Sequence, residues 1–378
     1  MKKEFRMSSA FDDFELKGHK LENRFVVAPM TRTSADKKGK PTELMGEYYE
    51  RFAKGGWSMI ISEGVYTDRQ ASQGYENQPG ITDAPQTDAW KEIVERVHKH
   101  DCKFIMQLMH AGAQFQHNEY TDTPIAPSEV KPKGEPLDLY GKTDGWPEVK
   151  AMDETDFDAV MNGFVGAVNR AKEAGFDGVE LHAANGYLLN EFLSDYFNQR
   201  PDQWGGDMAK RMHFLELVVK AAKSAAGDDF IVGVRLSQIT VTDSDYQWPE
   251  GEDAMIKVVK AMEKAGVDYI HTTDTDVMRK PFKGGSNKSL GDIVQEFSDI
   301  PLIVNGGISE KNYEHVAGHY PNALLAMAKT SLANPDFPIR IKSSEPIRQL
   351  DFAMLQPTAT LENEWKWRDE NDAHIELD

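Results

Sequence analysis

Eight short apolar runs punctuate this chain between residues 25 and 329, and stretches with helical spacing separate them. They read FVVAPM (25–30), WSMIISEGV (57–65), KFIMQLMH (103–110), FDGVELHAA (176–184), FIVGVRLS (230–237), VDYIHTTD (267–274), PLIVNGGI (301–308) and NALLAMAK (322–329). Their brevity and their β-branched residues fit strands buried on both faces, as in a parallel sheet. The intervening segments carry helix stops. The stretch opened by Asp153 runs to Ala174 and meets Gly175, and GEDAMIKVVKAMEKAGVD stops at Gly266. Eight strand–helix units close a barrel. A doubly wound sheet would instead want a Gly-x-Gly-x-x-Gly turn after an early strand, where this chain has APMTRT. The predicted fold is therefore α/β, a (β/α)8 barrel over residues 1–345.

Two insertions and a tail decorate that plan. FELKGHKLENRF, ahead of the first strand, suggests a hairpin that caps the barrel bottom. Residues 111–152, rich in proline and glycine, are too long for an ordinary strand–helix loop and predict a lid over the mouth. Residues 346–378 end in a polar segment with late tryptophans, expected to pack on the barrel or on a neighbouring subunit, so a homo-oligomer is possible.

Composition removes several function classes. A formal charge of −19 argues against a nucleic-acid partner, which would favour a basic face. A single cysteine, Cys102, excludes an internal disulfide, a cysteine-rich zinc site and an iron–sulfur cluster, and no metal is expected. Cys102 lies in an apolar run and reads as a buried structural thiol. No run of 18 apolar residues occurs, so neither a membrane span nor membrane partner is expected, and the chain is placed in the cytoplasm.

In a barrel of this kind, chemistry gathers at the C-terminal ends of the strands. Those ends supply Thr31, Arg32, Glu63, Gly64, Gln107, His110, His182, Asn185, Arg235, Asn305 and Lys329. Gln107 and Arg235 are long polar side chains within apolar runs, so each needs a polar ligand or an internal partner. The glycines Gly306 and Gly307 could be a plain turn. Paired with Lys329 on the next strand, they read better as a phosphate cradle. His182 alone would be a structural histidine. With Asn185 and Tyr187 close by, it completes two donors and a phenol that could polarise an oxygen and supply a proton. The leucines and phenylalanine of YLLNEFL read as core, and Arg200 with Asp202 as loop fasteners.

At these residues the chain resembles the Old Yellow Enzyme family of FMN-dependent ene-reductases, over residues 14–340. LENRFVVAPMTR is similar to the family's first-strand motif, which implies flavin contacts from Ala28, Pro29, Met30 and Thr31. ISEG and IMQLMHAG imply further contacts from Gly64 and Gln107. The stretch HAANGYLLNEFLSDYFNQRPDQWGG is similar to its most specific motif. The resemblance further implies that Arg235 stabilises the reduced flavin, and that Gly306, Gly307, Ala328 and Lys329 hold the FMN phosphate. The implied reaction is ping-pong: NADPH or NADH reduces the flavin, then a small-molecule alkene binds its carbonyl or nitro oxygen to His182 and Asn185 and takes a proton from Tyr187. Ala328-Lys329 departs from the family's common Gly-Arg, and Gln114 stands where many relatives carry arginine. Substrate choice is expected to depend on the lid and on loops near Tyr75, Trp248 and Phe282. A general flavin, quinone or nitro-compound reductase on the same scaffold is the second reading, and a non-catalytic FMN-binding barrel the third.

Overall fold

A computed structural model describes residues 9–282 and 284–371. An antiparallel hairpin of β1 (Phe14–Leu16) and β2 (His19–Leu21) leads into the barrel. The barrel strands begin with β3 (Phe25–Val27), β4 (Met59–Tyr66) and β5 (Lys103–Met109). The long loop then holds a two-residue parallel pair, β6 (Ile125–Ala126) and β7 (Lys150–Ala151). The barrel resumes with β8 (Gly178–Asn185), β9 (Ile231–Thr240), β10 (Tyr269–Thr273), β11 (Leu302–Asn305) and β12 (Ala323–Met327). All neighbours are parallel, and β12 pairs with β3 to close the ring.

Each of the eight apolar runs forms one barrel strand, and several strands are shorter than their runs. The ladder of FVVAPM closes with the Ala28 N–H on Met327 O at 3.0 Å, and Pro29 beyond it has no N–H to give. The helices also stop where expected. Glu154–Glu173 starts from a capping box on Asp153 and is followed by Gly175 at φ 89°. Glu252–Ala265 ends at Gly266 in the left-handed region, φ 85°.

Alternation along the strands grades the barrel interior from apolar to polar. Near the strand starts, Met59, Ile105, Ile231, Ile303 and Leu324 form an inner core that the hairpin plugs with Leu16 and Leu21. Higher up, the same inward face carries Gln107, Glu180, His182, Arg235 and His271. A second, larger apolar shell lies between the strands and the surrounding helices. Among the described residues, no helix is long and apolar enough to cross a membrane. Cys102 is buried, as its surroundings predicted.

The tail packs on its own barrel. Helix Leu361–Glu370 lies beside helix Glu43–Lys54, and buried Glu364 binds Arg32, Arg51 (2.7 Å) and Arg368 (2.8 Å). One carboxylate among three guanidiniums leaves an excess of positive charge. The ring of Tyr48 offsets part of it, lying 4.6 Å from the Arg51 guanidinium carbon and 5.0 Å from that of Arg32. The arginines hold the Glu364 carboxyl well below the ordinary carboxylate range.

Glu364→Gln should therefore cost about 3–5 kcal/mol in urea unfolding, because it strands three buried cations. A depressed folded pKa means that this contribution is complete above the ordinary value of 4.5 and is lost as pH falls below it. The gap between the two proteins should narrow in acid. A gap of equal size at pH 7 and pH 3 would show that charge at Glu364 is not its source.

Candidate active site

A cavity of about 250 Å³ opens at the C-terminal end of the barrel. Its walls include Pro29, Met30, Thr31, Gly64, Gln107, His182, Asn185, Tyr187, Arg235, Ala328 and Lys329. The lid contributes Leu139 and Tyr140, and the tail contributes Leu350, Phe352, Leu355 and Ala359. Lid and tail are joined over the mouth, with Ala359 N–H donating to Leu139 O at 2.9 Å. The tail is thus part of the binding wall, a role that its polar composition does not signal.

The floor rests on a buried carboxylate absent from the sequence-derived set. Glu180 is fully buried and accepts from Gln107 Nε2 (2.8 Å), Tyr269 Oη (3.0 Å) and His271 Nδ1 (2.8 Å). Gly233, in register between Glu180 and Tyr269, makes this possible. A Cβ at Gly233 would sit 2.0 Å from the Tyr269 ring. Glu180 stands two residues before His182 on one strand, so period-two reasoning could have placed both on the inner face. His271 was open to the same argument.

His182, Arg235 and His271 lie level across β8, β9 and β10. Burial, then the Arg235 charge, push the His182 imidazole well below its ordinary pKa, so it is neutral at pH 7. Arg235 donates to Asn305 Oδ1 (3.0 Å) and Thr273 Oγ1 (3.2 Å), while its Nε has no partner among the described residues. Nδ1 of His182 is likewise unpartnered among them. Two orphaned polar nitrogens on residues that line one cavity are what a polar ligand would satisfy.

Asn185 is held in the left-handed region at φ 62°, a conformation asparagine tolerates better than most residues. Ser237 Oγ accepts its N–H at 2.7 Å, and its carbonyl accepts from Gln114 Nε2 at 2.6 Å. Gln114 thereby fixes the backbone of a site residue. Tyr187 caps helix Leu188–Leu193, packs its ring 4.8 Å from that of His182, and shares a 2.6 Å hydrogen bond with Tyr75. The leucines and Phe192 of that helix are core, as expected. Its polar members do more: Asn190 binds Gly186 N and Ser237 O, and Glu191 accepts from Ala113 N at 2.7 Å. Arg200 binds Asp202 and the carbonyls of Pro127 and Met152, which ties the middle of the lid to its C-terminal end.

Glu63 shapes the turn after β3 from below. Its carboxylate accepts from Arg32 N (2.9 Å) and Thr33 N (3.2 Å), and burial raises its pKa to about 7. Other expected residues fall outside the cavity. Ala28 belongs to the inner core, and His110 is buried and accepts from Gly112 N. Arg32 borders the cavity, but its guanidinium is committed to the tail. Trp248 and Phe282 lie in the outer core rather than on the cavity wall.

A second cavity of about 230 Å³ adjoins the first, sharing Lys329, Leu350 and Phe352 with it. Gly307, Ser309, Thr330 and Arg348 also line it, whereas Gly306 lies behind the wall. A Cβ on Gly306 would meet Asp274 O and Val277 N, both at 2.7 Å, so this glycine permits close backbone packing. An apolar-walled chamber with polar ends, next to one with a glycine turn and cations, fits a planar ring carrying a phosphate chain. The residues present fit FMN on these grounds.

The family described as NADH:flavin oxidoreductase / NADH oxidase matches residues 9–347. A putative 12-oxophytodienoate reductase 12 of Oryza sativa subsp. japonica is 32% identical over 88% of this chain and 82% of its own. The old yellow enzyme homologue of Zymomonas mobilis superposes with a TM-score of 0.83 at 24% identity, covering 97% of this chain and 100% of its own. Morphinone reductase, in a complex with tetrahydroNAD, superposes at 0.79 with 25% identity over 92% and 94% of the two chains. With the barrel, the cavity and these likenesses in agreement, the chain belongs to the NADH:flavin oxidoreductase / NADH oxidase family and is an oxidoreductase of the Old Yellow Enzyme type.

Proposed function

We propose that this chain reduces the C=C bond of electron-poor alkenes, α,β-unsaturated carbonyl or nitro compounds, in a ping-pong cycle driven by NADPH or NADH. The observation that carries this reading is the wall built by the end of β8, where a neutral imidazole, an amide and a phenol line one cavity. Bound FMN would supply the hydride, taken from the nicotinamide and passed to the alkene's β-carbon. Pro29, Met30, Thr31, Gly64, Gln107 and Arg235 would hold its ring, and Gly307 with Lys329 its phosphate.

The protein's own residues supply position and proton. His182 and Asn185 hold the substrate oxygen, which gains negative charge as the β-carbon is attacked. Donors placed in advance at such an oxygen are worth about 3–4 kcal/mol each in other oxyanion sites. A neutral His182 does this without bringing a proton that would move to the oxygen and alter the outcome. Tyr187 donates its proton to the α-carbon. Lid and tail close the roof with Leu139, Leu355 and Phe352, which limits water in the cavity.

Tyr187→Phe should lower alkene turnover by roughly 100-fold or more, as for loss of a general acid. Quinone reduction by the same protein should be retained, because it does not use this carbon protonation. Equal turnover of 2-cyclohexenone by both proteins would remove Tyr187 as donor and favour the quinone or nitro-compound reductase reading. Phenol, a mimic of the enolate-like oxygen, should bind with constant affinity from pH 6 to pH 8, since His182 stays neutral throughout. A break in that profile near pH 6.5, lost in His182→Ala, would show a titrating imidazole instead. Lys329→Arg should tighten FMN binding to the apoprotein by roughly tenfold, by offering the phosphate a bidentate fork in place of a point charge. Equal FMN affinities in a fluorescence titration would exclude that role.

A further inference from the structure

The Tyr75 hydroxyl is the feature this mechanism does not yet use. Tyr75 is 2% exposed, and among the described residues its hydroxyl has one hydrogen-bond partner, Tyr187 Oη at 2.6 Å. A phenol has one proton to give and accepts through its oxygen. If Tyr187 donated to Tyr75, the Tyr75 proton would be buried without an acceptor, which is costly. The reverse arrangement satisfies both groups. Tyr75 donates, Tyr187 accepts, and the Tyr187 proton stays free to face the cavity that its side chain lines.

Tyr75 is also held firmly. Gln78 accepts from Gly74 N–H at 2.8 Å and donates to Gly64 O at 2.8 Å, which ties this segment to a cavity residue. Gly74 packs so tightly on the exit of β5 that a Cβ there would lie 2.7 Å from Ala111 Cβ. On its other side, the Tyr75 ring meets Tyr140 of the lid, centroids 4.7 Å apart. The hydroxyl therefore cannot readily turn elsewhere.

We propose that Tyr75 is a positioning residue that makes Tyr187 a competent acid, donating a hydrogen bond to the oxygen on which charge appears as the proton leaves. The proposal rests on the reading of Tyr187 as proton donor. In the step, the Tyr187 O–H bond breaks, its proton forms the new C–H bond at the α-carbon, and the electron pair stays on the Tyr187 oxygen. Bound FMN, once reduced by NAD(P)H, would supply the hydride that the β-carbon takes. The phenolate left on Tyr187 is buried, and burial opposes it strongly. A hydrogen bond to the charged form counters that penalty, and Tyr75 is placed to give it.

The test is a double-mutant cycle on the FMN-loaded protein, read by stopped-flow flavin absorbance. Tyr75→Phe should slow reoxidation by 2-cyclohexenone roughly tenfold at pH 7, while reduction by NADPH stays within about twofold of wild type, which also shows the fold intact. The alkaline limb, where Tyr187 loses its proton, should move to higher pH in this variant. In Tyr187→Phe, adding Tyr75→Phe should cost nothing further, because Tyr75 acts through Tyr187. An unchanged reoxidation rate in Tyr75→Phe, or additive losses in the double variant, would overturn the proposal. Full alkene turnover in Tyr187→Phe would remove the donor reading beneath it, a result the cycle separates from the other two.

Discussion

A fully buried carboxylate, Glu180, organises the middle of this barrel. An isolated ion at that depth would cost several kcal/mol, so Glu180 is tenable only because three donors reach it. The donors come from two strands, Gln107 from β5 and Tyr269 with His271 from β10, and each is oriented in return. Gln107 must turn its NH2 toward the carboxylate, which acts only as an acceptor, leaving the amide oxygen free for the cavity. Tyr269 crosses the space that Gly233 leaves open. His271 donates through Nδ1 and stands level with Arg235. The upper layer, where His182 and Arg235 line the cavity, is thus built on a carboxylate held by three fixed donors rather than on flexible chain.

Period and punctuation make the architecture legible in the sequence itself. Eight buried strands need eight short apolar runs, and Gly175 and Gly266 mark helix ends because other residues are strained at positive φ. The site was legible where function lies close in sequence. His182, Asn185 and Tyr187 share one turn, so a single motif exposes them. What escaped were partners across long sequence separations. Tyr75 is 112 residues from Tyr187, and nothing in GYENQP announces a hydroxyl bonded to a catalytic candidate. Glu364 is 332 residues from Arg32, in a tail expected to pack on the barrel or a neighbouring subunit but with nothing to name its partners.

Polarity inside the helix after β8 gave a subtler lesson. Asn190 and Glu191 sit between core leucines, where spacing alone assigns packing. Both are buried, and both serve the loops around them, holding Gly186, Ser237 and Ala113 in place. A buried polar residue in an apolar helix asks for a backbone partner, and short-range geometry decides which.

The wall formed by residues 350–359 also imposes an order on how the protein comes into being. The last barrel strand ends at Met327, so the ring can close before that wall has been made. Chains tend to fold in the direction of synthesis. A nascent chain would then hold a complete scaffold with an unfinished pocket, its Arg32 and Arg51 still waiting for Glu364. Ligand retention becomes the final event of maturation, separated from barrel assembly by the few dozen residues that carry the latch.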